Sequence, residues 1–373
     1  MPRDKTRLCI VNPFQYGGGA EYQIGCLLDV LIPVRDCEIY YLAHHTDARG
    51  DREGCRIVKI GRGNEAPRFG YMTDSVPLYQ ALAGIAPDVI YQRVGCGYTG
   101  VCAFYARRHD VRMIWHVAHD TDVTPGAGIY GRNPLRGWLE KRSVEYGARH
   151  AQLIVTQTAF QAGLLQTNYG RTATAVVPNF QPPPGERLDK SGPITVVWVA
   201  NFKRWKRPEV FIRLAARLQD LADVRFVMAG EGAAGGGDRE WGAELAAAIE
   251  STPNLTHLGR RSQQEVNELL ATSHVLVNTS EAEGFANTFI QAWMREMPVV
   301  SLDVDPDGIL ERESVGIHAG SEERLADAVR RLVTDPSLRN DTAARARQYA
   351  MKHHSLRNAQ SLAQLIRTGR IGE

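Results

Sequence analysis

The sequence predicts an α/β protein built from two doubly wound, parallel-sheet domains. Short, continuous apolar segments alternate with helical patterns along nearly the whole chain, which is typical of strands buried on both faces of a parallel sheet. The alternation stops once, at Gln181-Pro-Pro-Pro-Gly185, where three prolines exclude a helix or a central strand, and then it restarts. A chain of 373 residues is long enough for two such domains with separate cores.

In the first predicted domain, residues 1–182, the strand-like segments are short and are often followed by Gly, Pro or Asn. They are Leu8–Val11, Glu38–Leu42, Arg56–Ile60, Asp88–Tyr91, Arg112–His116, Gln152–Thr156 and Thr174–Val177. Helical patterns separate several of them, at Ala20–Leu31, Ser75–Ile85, Thr99–Arg108, Leu135–Arg149 and Thr158–Asn168.

In the second predicted domain, residues 193–352, the same alternation recurs with the same element lengths. The predicted strands are Ile194–Ala200, Val224–Ala229, Asn254–Leu258, His274–Val277, Val299–Leu302 and Gly316–His318. The predicted helices are Pro208–Gln219, Glu240–Glu250, Ser262–Ala271 and Asn287–Glu296, followed by further helices to the end of the chain.

Composition narrows the class of protein. Lys and Arg number 44 against 42 Asp and Glu, so the net charge of +2 gives no electrostatic reason to expect nucleic acid as a partner. We find no secretory signal and no apolar run near the ~20 residues that a membrane helix needs. All six cysteines lie in the first third without a CxxC pair, which favours reduced, buried thiols in a cytoplasmic protein over a zinc site.

Ligands of open α/β sheets bind beyond the carboxyl ends of the strands, so the cleft between the two domains is the expected site. The first strand is followed by Gly17, Gly18 and Gly19 at the start of a helix. Glycines allow close approach of the backbone, and a helix N-terminus suits a phosphate. The alternative is a tight turn without a ligand.

A second glycine-rich segment, Gly230-Glu-Gly-Ala-Ala-Gly235, matches the G-x-G-x-x-G dinucleotide fingerprint. It follows the second strand of its domain rather than the first, and no acidic residue ends the next strand, at Leu258-Gly259-Arg260. These departures favour a loop beside a nucleotide over a nicotinamide site.

Four cations follow the first strand of the second domain, in Phe202-Lys-Arg-Trp-Lys-Arg-Pro208. At the carboxyl end of a strand they can neutralise a diphosphate, whereas the alternative is a solvated basic loop. Glu283 and Gly284 precede another helix, where a carboxylate can bond sugar hydroxyls and the amides from Phe285 to Thr288 can face an anion. The alternative is that Glu281 or Glu283 caps this helix.

The segment Trp115-His-Val-Ala-His-Asp-Thr-Asp122 ends an inner strand of the first domain. Alternation along the strand puts His116 and His119 on different faces, so we expect one of them to reach the cleft. A structural or metal-binding role is the alternative, although no matching third ligand is visible.

Basic and aromatic residues recur in one helix, which suits either an anionic membrane surface or solvent. Glu140 and Glu145 interrupt the charge, so a solvated helix is favoured over peripheral membrane contact. The residues are Arg132, Arg136, Trp138, Lys141, Arg142 and Arg149.

Taken together, the order and spacing of these motifs resemble the GT-B glycosyltransferases of family 4 (glycosyltransferase group 1), which are retaining nucleotide-sugar enzymes. The resemblance spans nearly the whole chain. It rests on Gly18-Gly-Ala-Glu21, Val177-Pro-Asn179, Lys206, Gly230-Glu-Gly232, Leu258-Gly259, Glu283-Gly-Phe285 and Met297-Pro-Val-Val300.

The resemblance implies two Rossmann-like domains, with residues 353–373 returning to the first. It implies a UDP- or GDP-linked sugar donor and a saccharide, lipid-linked or small-molecule acceptor. Lys206 and Arg204 would hold the diphosphate, and His116 or His119 would touch the donor sugar. The implied donor-binding residues are Gly230, Glu283, Gly284, Phe285, Ala286, Asn287, Thr288 and, at the ribose, Gln291. Gly17, Gly18 and Gly19 would approach the phosphate or the acceptor.

The chain departs from the family pattern at three positions. Gln291 stands where the family usually has Glu, Asn201 where it has Arg, and Phe180 where it has Gly. No Asp-x-Asp sits at an obvious strand end, because Asp303-Val-Asp305 comes late in the second domain, so we expect a metal-independent hexosyltransferase without a cofactor. A nucleotide-sugar epimerase of the same fold and a non-catalytic nucleotide-sugar-binding subunit are the alternatives.

Overall fold

The computed structural model describes residues 5–46, 52–61, 63, 70–126, 134–232 and 239–371. The chain divides into two compact units. Unit 1 comprises Met1–Phe180 and Leu356–Glu373, and unit 2 comprises Gln181–Ser355.

Unit 1 contains a seven-stranded sheet in which every described pair of neighbours is parallel. The spatial order is β3-β2-β1-β4-β5-β6-β7, so the chain reverses its direction of winding between β1 and β4. The strands are Thr6–Val11 (β1), Cys37–Ala43 (β2), Cys55–Lys59 (β3), Val89–Arg93 (β4), Arg112–His116 (β5), Leu153–Thr156 (β6) and Ala175–Val176 (β7).

Helices cover both faces of this sheet, so alternate residues of the same strand enter two different cores. Cys9 and Val11 pack in one core, whereas Leu8 and Ile10 pack in the other. This explains why the strand reads as a continuous apolar run. The helices that precede unit 2 are Gly19–Leu31 (α1), Ser75–Ile85 (α2), Gly97–His109 (α3), Pro134–His150 (α4) and Ala159–Tyr169 (α5).

Unit 2 contains a six-stranded parallel sheet in the order β10-β9-β8-β11-β12-β13, with its change of winding between β8 and β11. The strands are Ile194–Val199 (β8), Val224–Ala229 (β9), Leu255–His257 (β10), Val275–Asn278 (β11), Val299–Ser301 (β12) and Gly316–His318 (β13). The predicted fold class, two doubly wound parallel sheets, is confirmed.

The helices of unit 2 also lie on both faces of their sheet. Trp198 packs in one core and Val197 in the other. The helices are Pro208–Arg217 (α6), Arg239–Glu250 (α7), Gln263–Thr272 (α8), Asn287–Met294 (α9), Ile309–Arg312 (α10), Glu322–Thr334 (α11) and Pro336–His353 (α12).

The last helix, Leu356–Thr368 (α13), belongs to unit 1 and packs against α1. Leu362 and Ile366 share a buried core with Ile24 and Leu27 of α1. Asn358 also donates a hydrogen bond to the carbonyl oxygen of Pro178, at 3.1 Å. Helix α13 therefore completes the hydrophobic core that the buried face of α1 lines.

None of the six cysteines forms a disulfide, and five of them are buried while Cys37 is half-buried. Burial raises the pKa of the Cys26 thiol to about 11 and that of Cys37 to about 12. Within the described ranges, no helix has both the length and the apolar composition that a membrane crossing requires.

Helices α3 and α4 pack closely because glycines stand at their contact. A Cβ added to Gly100 would lie 2.6 Å from the carbonyl oxygen of Ser143, and a Cβ on Gly147 would lie 3.0 Å from that of Thr99. Backbone atoms cannot rotate away as a side chain can, so these glycines set the distance between the helices.

We therefore expect Gly100→Ala to lower the free energy of unfolding by about 1–3 kcal/mol through overpacking. Gly163→Ala on α5 is the matched control, since a Cβ there meets nothing within 4 Å and should stabilise the helix by about 0.5–1 kcal/mol. Urea denaturation of both variants measures the difference. Equal stability of the two variants would contradict this account of the α3–α4 packing.

Candidate functional site

The candidate site of unit 2 lies where β8 and β11 end, on either side of the change of winding. The segment after β8 forms a 3₁₀ turn, Arg204–Lys206, and the segment after β11 leads to Glu283. The Lys206 ammonium group donates a hydrogen bond to the Glu283 carboxylate, and about a fifth or less of either side chain is exposed. The structure thus brings together the two residues on which the sequence interpretation depends.

Thr279 fixes the backbone at Lys206. Its buried hydroxyl donates to the carbonyl oxygen of Lys206 at 2.6 Å and accepts from the indole N–H of Trp198 at 2.9 Å. Arg207 has a left-handed φ of 47° and donates to the Thr279 carbonyl oxygen at 2.7 Å. The two strand-end loops are therefore joined directly through hydrogen bonds.

The Glu283 carboxylate does not cap α9. The residue before this helix is Ala286, which makes no side-chain cap, whereas Glu283 accepts from Lys206 and from the Ser280 hydroxyl at 2.8 Å. Glu281 is exposed and donates its backbone N–H to the carbonyl oxygen of Trp205. The capping alternative for Glu283 is therefore wrong, and its carboxylate remains at the edge of the sheet.

The residues at the start of α9 differ in exposure. Gly284, Phe285 and Ala286 are buried, with the Phe285 ring against His354 at a centroid distance of 4.7 Å, while Asn287 and Thr288 are half-buried. Phe285 therefore supplies packing through its ring, and any contact it makes with a ligand must come from its backbone.

Gln291, which the resemblance places at a ribose, is 3% exposed. Its amide nitrogen donates to the side-chain oxygen of Asn267 on α8 at 2.9 Å. Its backbone carbonyl oxygen accepts from Arg295 at 3.0 Å. In this conformation, the Gln291 side chain links two helices and presents little surface to a ligand.

Gly230 has a structural reason to be glycine. Its φ is +137°, and a Cβ there would lie 1.8 Å from the carbonyl oxygen of Ala200. Its carbonyl oxygen pairs with the Nε2 of His257 at 2.7 Å. The close approach of the loops after β8 and β9 is sufficient to require this glycine. Gly235, the third glycine of the motif, lies outside the described residues.

The four cations after β8 have different surroundings. Arg204 lies 5.0 Å from the ring centroid of Trp241, and Lys203 lies 4.8 Å from that of Trp205, in cation–π contacts. Arg207 pairs with Asp303. Lys206 differs from the other three because its partner is the Glu283 carboxylate at the strand ends.

Asp303 and Asp305, the weak Asp-x-Asp match, are also engaged. Asp303 pairs with Arg207, and Asp305 accepts from the backbone N–H of Leu310 at 2.9 Å. Burial raises the pKa of Asp305. Among the residues that the structure describes, no group of three or more His, Cys, Asp or Glu is arranged to hold a metal ion.

In unit 1, the exposed glycines Gly17, Gly18 and Gly19 lead into α1. A Cβ on Gly18 would lie 2.3 Å from a carboxylate oxygen of Glu21, so a side chain here would displace the Glu21 carboxylate from its present position. The Glu21 carboxylate accepts from the Asn12 amide at 2.6 Å and from the backbone N–H of Gly18. A carboxylate of the chain itself therefore occupies the helix N-terminus that the sequence suggested for a phosphate.

His116 is fully buried and hydrogen-bonded to its neighbours. Its Nδ1 lies 2.8 Å from the Tyr91 hydroxyl and 3.0 Å from a guanidinium nitrogen of Arg93. Because Arg93 can only donate, Nδ1 accepts and the ring is neutral. Burial, and secondly the Arg93 charge, holds the His116 pKa well below its ordinary value. The structure therefore gives no support to a ligand contact by His116.

His119 is half-buried and begins the 3₁₀ turn Asp120–Val123. Its Nδ1 accepts from the backbone N–H of Thr121 at 3.2 Å, so the neutral ring carries its proton on Nε2. The hydrogen bonds of His119 to other described residues involve Nδ1 and its backbone, and none of them involves Nε2. His119 rather than His116 is thus the histidine able to donate to a ligand.

The acidic residues beside His119 hold the loop. Asp122 accepts from the backbone N–H groups of Ala118 and His119 at 2.9 and 3.1 Å, and burial raises its pKa despite these bonds. Asp120 accepts from the Gln161 amide at 3.0 Å. Both carboxylates serve the geometry of the strand end, which accounts for their presence without a metal.

Arg93 is a buried polar residue that the sequence interpretation did not single out, and its partner is Asn179 of the Val177-Pro-Asn179 motif. A guanidinium nitrogen of Arg93 donates to the Asn179 side chain at 2.7 Å, and both residues are nearly inaccessible. The available signal was the polar pair Gln92-Arg93 at the end of an otherwise apolar strand.

The basic-aromatic helix α4 has both buried and exposed charges. Lys141 is 7% exposed and donates to the carbonyl oxygens of Thr121 and Thr124, while Glu140 accepts from the backbone N–H of Gly97. Trp138 is 58% exposed. Arg142 and Arg149 each pair with Glu145, and Arg136 lies in the same helix, whereas Arg132 lies outside the described residues.

Two family models match the chain in succession. The model described as glycosyl transferase 4-like domain matches residues 30–179, and the model described as glycosyl transferases group 1 matches residues 184–349. The chain belongs to the group 1 glycosyl transferases. The family suggested by the order of the sequence motifs is therefore confirmed.

Curated relatives of this glycosyl transferase are distant. It is 24% identical over 238 residues to the alpha-galactosylglucosyldiacylglycerol synthase of Streptococcus pneumoniae, a match covering 59% of this chain and 62% of that protein. It is 22% identical over 311 residues to the N-acetyl-alpha-D-glucosaminyl L-malate synthase of Bacillus anthracis, covering 76% of each. The match to the first relative thus spans less than two thirds of its length.

Solved structures share the fold over the whole glycosyl transferase chain. Sucrose-phosphate synthase from Thermosynechococcus elongatus matches with a TM-score of 0.79 at 14% identity, covering 97% of this chain and 98% of that one. Anabaena HepE, in complex with UDP and glucose, matches with a TM-score of 0.78 at 18% identity, covering 97% and 100%. The predicted GT-B fold is confirmed.

The neutral, buried His116 makes the stability of this glycosyl transferase depend on pH. An unfolded histidine binds a proton below about pH 6.5, whereas the folded ring does not, so protons favour the unfolded chain. We expect His116 to contribute a loss of about 1 kcal/mol in the free energy of unfolding between pH 7.5 and 5.5.

The measurement is urea denaturation at both pH values for the wild type, His116→Gln and His109→Gln. The first variant should lose this part of the pH dependence. His109 is exposed, so its variant should retain it. A wild-type slope in His116→Gln would show that the ring is not held neutral.

Proposed function

We propose that this chain transfers a hexosyl group from a nucleotide diphosphate to an acceptor hydroxyl, with retention at the anomeric carbon. The observation that carries the proposal is the Lys206–Glu283 pair at the carboxyl ends of β8 and β11, in a member of the group 1 glycosyl transferases. A cation suits a diphosphate, and a carboxylate suits sugar hydroxyls.

The ion pair balances the charges of the two residues that would bind the donor. Each charge neutralises the other, and Ser280 gives the carboxylate a second donor. When a donor binds, its diphosphate replaces Glu283 as the partner of Lys206, and the released carboxylate accepts from sugar hydroxyls. Thr279 keeps the Lys206 backbone in place during this exchange.

The leaving group of the reaction is a nucleoside diphosphate, which gains negative charge as the glycosidic bond breaks. Lys206 stabilises that charge, and the backbone amides at the start of α9 add their dipoles. The acceptor hydroxyl attacks from the side that the leaving group vacates, and a phosphate oxygen takes its proton.

We infer a UDP-linked donor in preference to a GDP-linked one. The support is that HepE, a structural neighbour, is solved with UDP-glucose and with UDP and glucose. HepE is 18% identical to this chain, and a thermal-shift panel of nucleotide sugars identifies the sugar that this chain transfers.

Six cysteines without a disulfide suit a reducing compartment, and we place the enzyme in the cytoplasm. Trp138 of α4 is exposed, and contact of this helix with the inner face of a membrane stays a prediction.

Removing the Lys206 ammonium should nearly abolish transfer. We expect Lys206→Ala to lower kcat with UDP-glucose by about 10²–10³-fold, which is the usual cost of losing one donor to developing charge. Lys352→Ala changes an exposed lysine of α12 in the same unit and should keep the wild-type rate. Thermal melting verifies that both variants are folded.

The same assay separates the alternatives. Transfer requires an acceptor, an epimerase converts the donor alone, and a non-catalytic subunit binds the donor without turnover. A thermal-shift panel of UDP- and GDP-sugars identifies the donor, since a ligand that binds the folded state raises the Tm. Unchanged turnover in Lys206→Ala would remove Lys206 from the site.

We further propose that the reaction is independent of metal ions. Lys206 and the helix N-terminus supply the charge that a divalent cation supplies elsewhere. Activity measured in EDTA should equal activity in MgCl₂, within error. Activity lost in EDTA and restored by excess Mg²⁺ would contradict this.

A further inference from the structure

An exposed aromatic ring stands beside the glycine segment of unit 1. Phe14 follows β1, and 39% of its surface is exposed, which is unusual for phenylalanine. One face of its ring stacks on the ring of His45, which follows β2, with centroids 4.3 Å apart and planes within 9°. Tyr71 meets the Phe14 ring at an angle of 81° and a centroid distance of 6.2 Å.

The backbone under this ring is fixed by hydrogen bonds. The Phe14 carbonyl oxygen accepts from the Asn12 amide at 2.9 Å and from the Tyr41 hydroxyl at 2.8 Å. Gln15 donates its backbone N–H to the carbonyl oxygen of His45 at 2.9 Å. The ring is therefore held on a rigid support, and its exposure does not result from a loose loop.

The surroundings of the ring are open and polar. Gly17 has a φ of +99°, and a Cβ there would meet nothing within 4 Å. Tyr16 is 50% exposed and carries a hydroxyl. Both lie after β1, at the change of winding of the sheet, which is where open α/β sheets bind ligands.

We propose that the Phe14 ring, supported by His45, is the stacking platform for a neutral pyranose ring of the acceptor. This inference rests on the proposed function, and it narrows the acceptor to a saccharide. A pyranose has one apolar face of C–H groups and an edge of hydroxyls, which matches a flat exposed ring next to Tyr16 and an open glycine.

Two features argue against an anionic group at this position. Glu21 already accepts from the Gly18 amide and the Asn12 side chain at the helix N-terminus, so these donors are not available to a phosphate or carboxylate. Arg93 is 1% exposed and donates to Asn179 and His116, so its charge is inaccessible to a ligand.

The ring also differs from a lipid-binding surface. The residues that follow it along the chain are Gln15, Tyr16 and three glycines, which supply no aliphatic side chain to extend the apolar surface. An acyl chain needs a longer apolar groove, whereas one sugar ring covers one aromatic ring.

Saturation-transfer NMR tests the stack directly, with methyl β-D-glucopyranoside as the probe and UDP present. Saturation of the protein should reach the ring C–H protons of the sugar. Phe14→Ala should weaken the affinity for the sugar by about tenfold, and Phe14→Trp should restore binding because it keeps a flat ring. Phe104→Leu, an exposed aromatic on α3, is the control and should bind as the wild type does.

Glu283→Ala distinguishes this subsite from the donor site. Sugar binding that is lost in Glu283→Ala and kept in Phe14→Ala would belong to the donor site and overturn the inference. Equal binding by Phe14→Ala and the wild type would overturn it as well. UDP binding measured by calorimetry on the wild type is a separate readout, and its absence would instead contradict the proposed function.

Discussion

Parallel pairing of every strand in both sheets is the constraint on which the candidate site depends. Because all strands of a sheet point the same way, every polar loop that follows a strand meets the others at one edge. In unit 2, this places Lys206 and Glu283 together although 77 residues separate them. In unit 1, it gathers Phe14, His45 and the glycine segment. Neither group of residues depends on a short sequence motif for its proximity.

The two units treat buried charge differently. Arg93 donates to the side chains of Asn179 and His116, and burial together with the Arg93 charge keeps the His116 ring uncharged. Lys206 instead faces a carboxylate at a partly exposed edge, where a charged ligand can replace that partner. The two cations therefore differ in burial and in the charge of their partners, and this difference is why we propose a role in binding for Lys206 and not for Arg93.

Most of the fold could be predicted from the sequence, since apolar runs, helical periodicity and strand-end glycines are local signals. The predicted strand Val224–Ala229 agrees with β9 at both ends, and Ser75–Ile85 agrees with α2. The candidate site was harder to predict from the sequence than the fold. Gln291 stands where the family usually has Glu, and its amide bonds Asn267 of another helix, a contact that the sequence does not specify. Gly18 suggested a phosphate, but the space beside it is filled by Glu21, three positions along α1.

Helix α13 imposes an order on the folding of unit 1. Its side chains fill the core beside α1, so the hydrophobic surface of Ile24 and Leu27 stays uncovered until the ribosome has passed residue 366. At translation rates of about 5–20 residues per second, that interval is roughly 10–40 s after Phe180 is made. The second unit can finish folding during this wait. Helix α1, although it is synthesised before α13, is therefore among the last elements to reach its native packing.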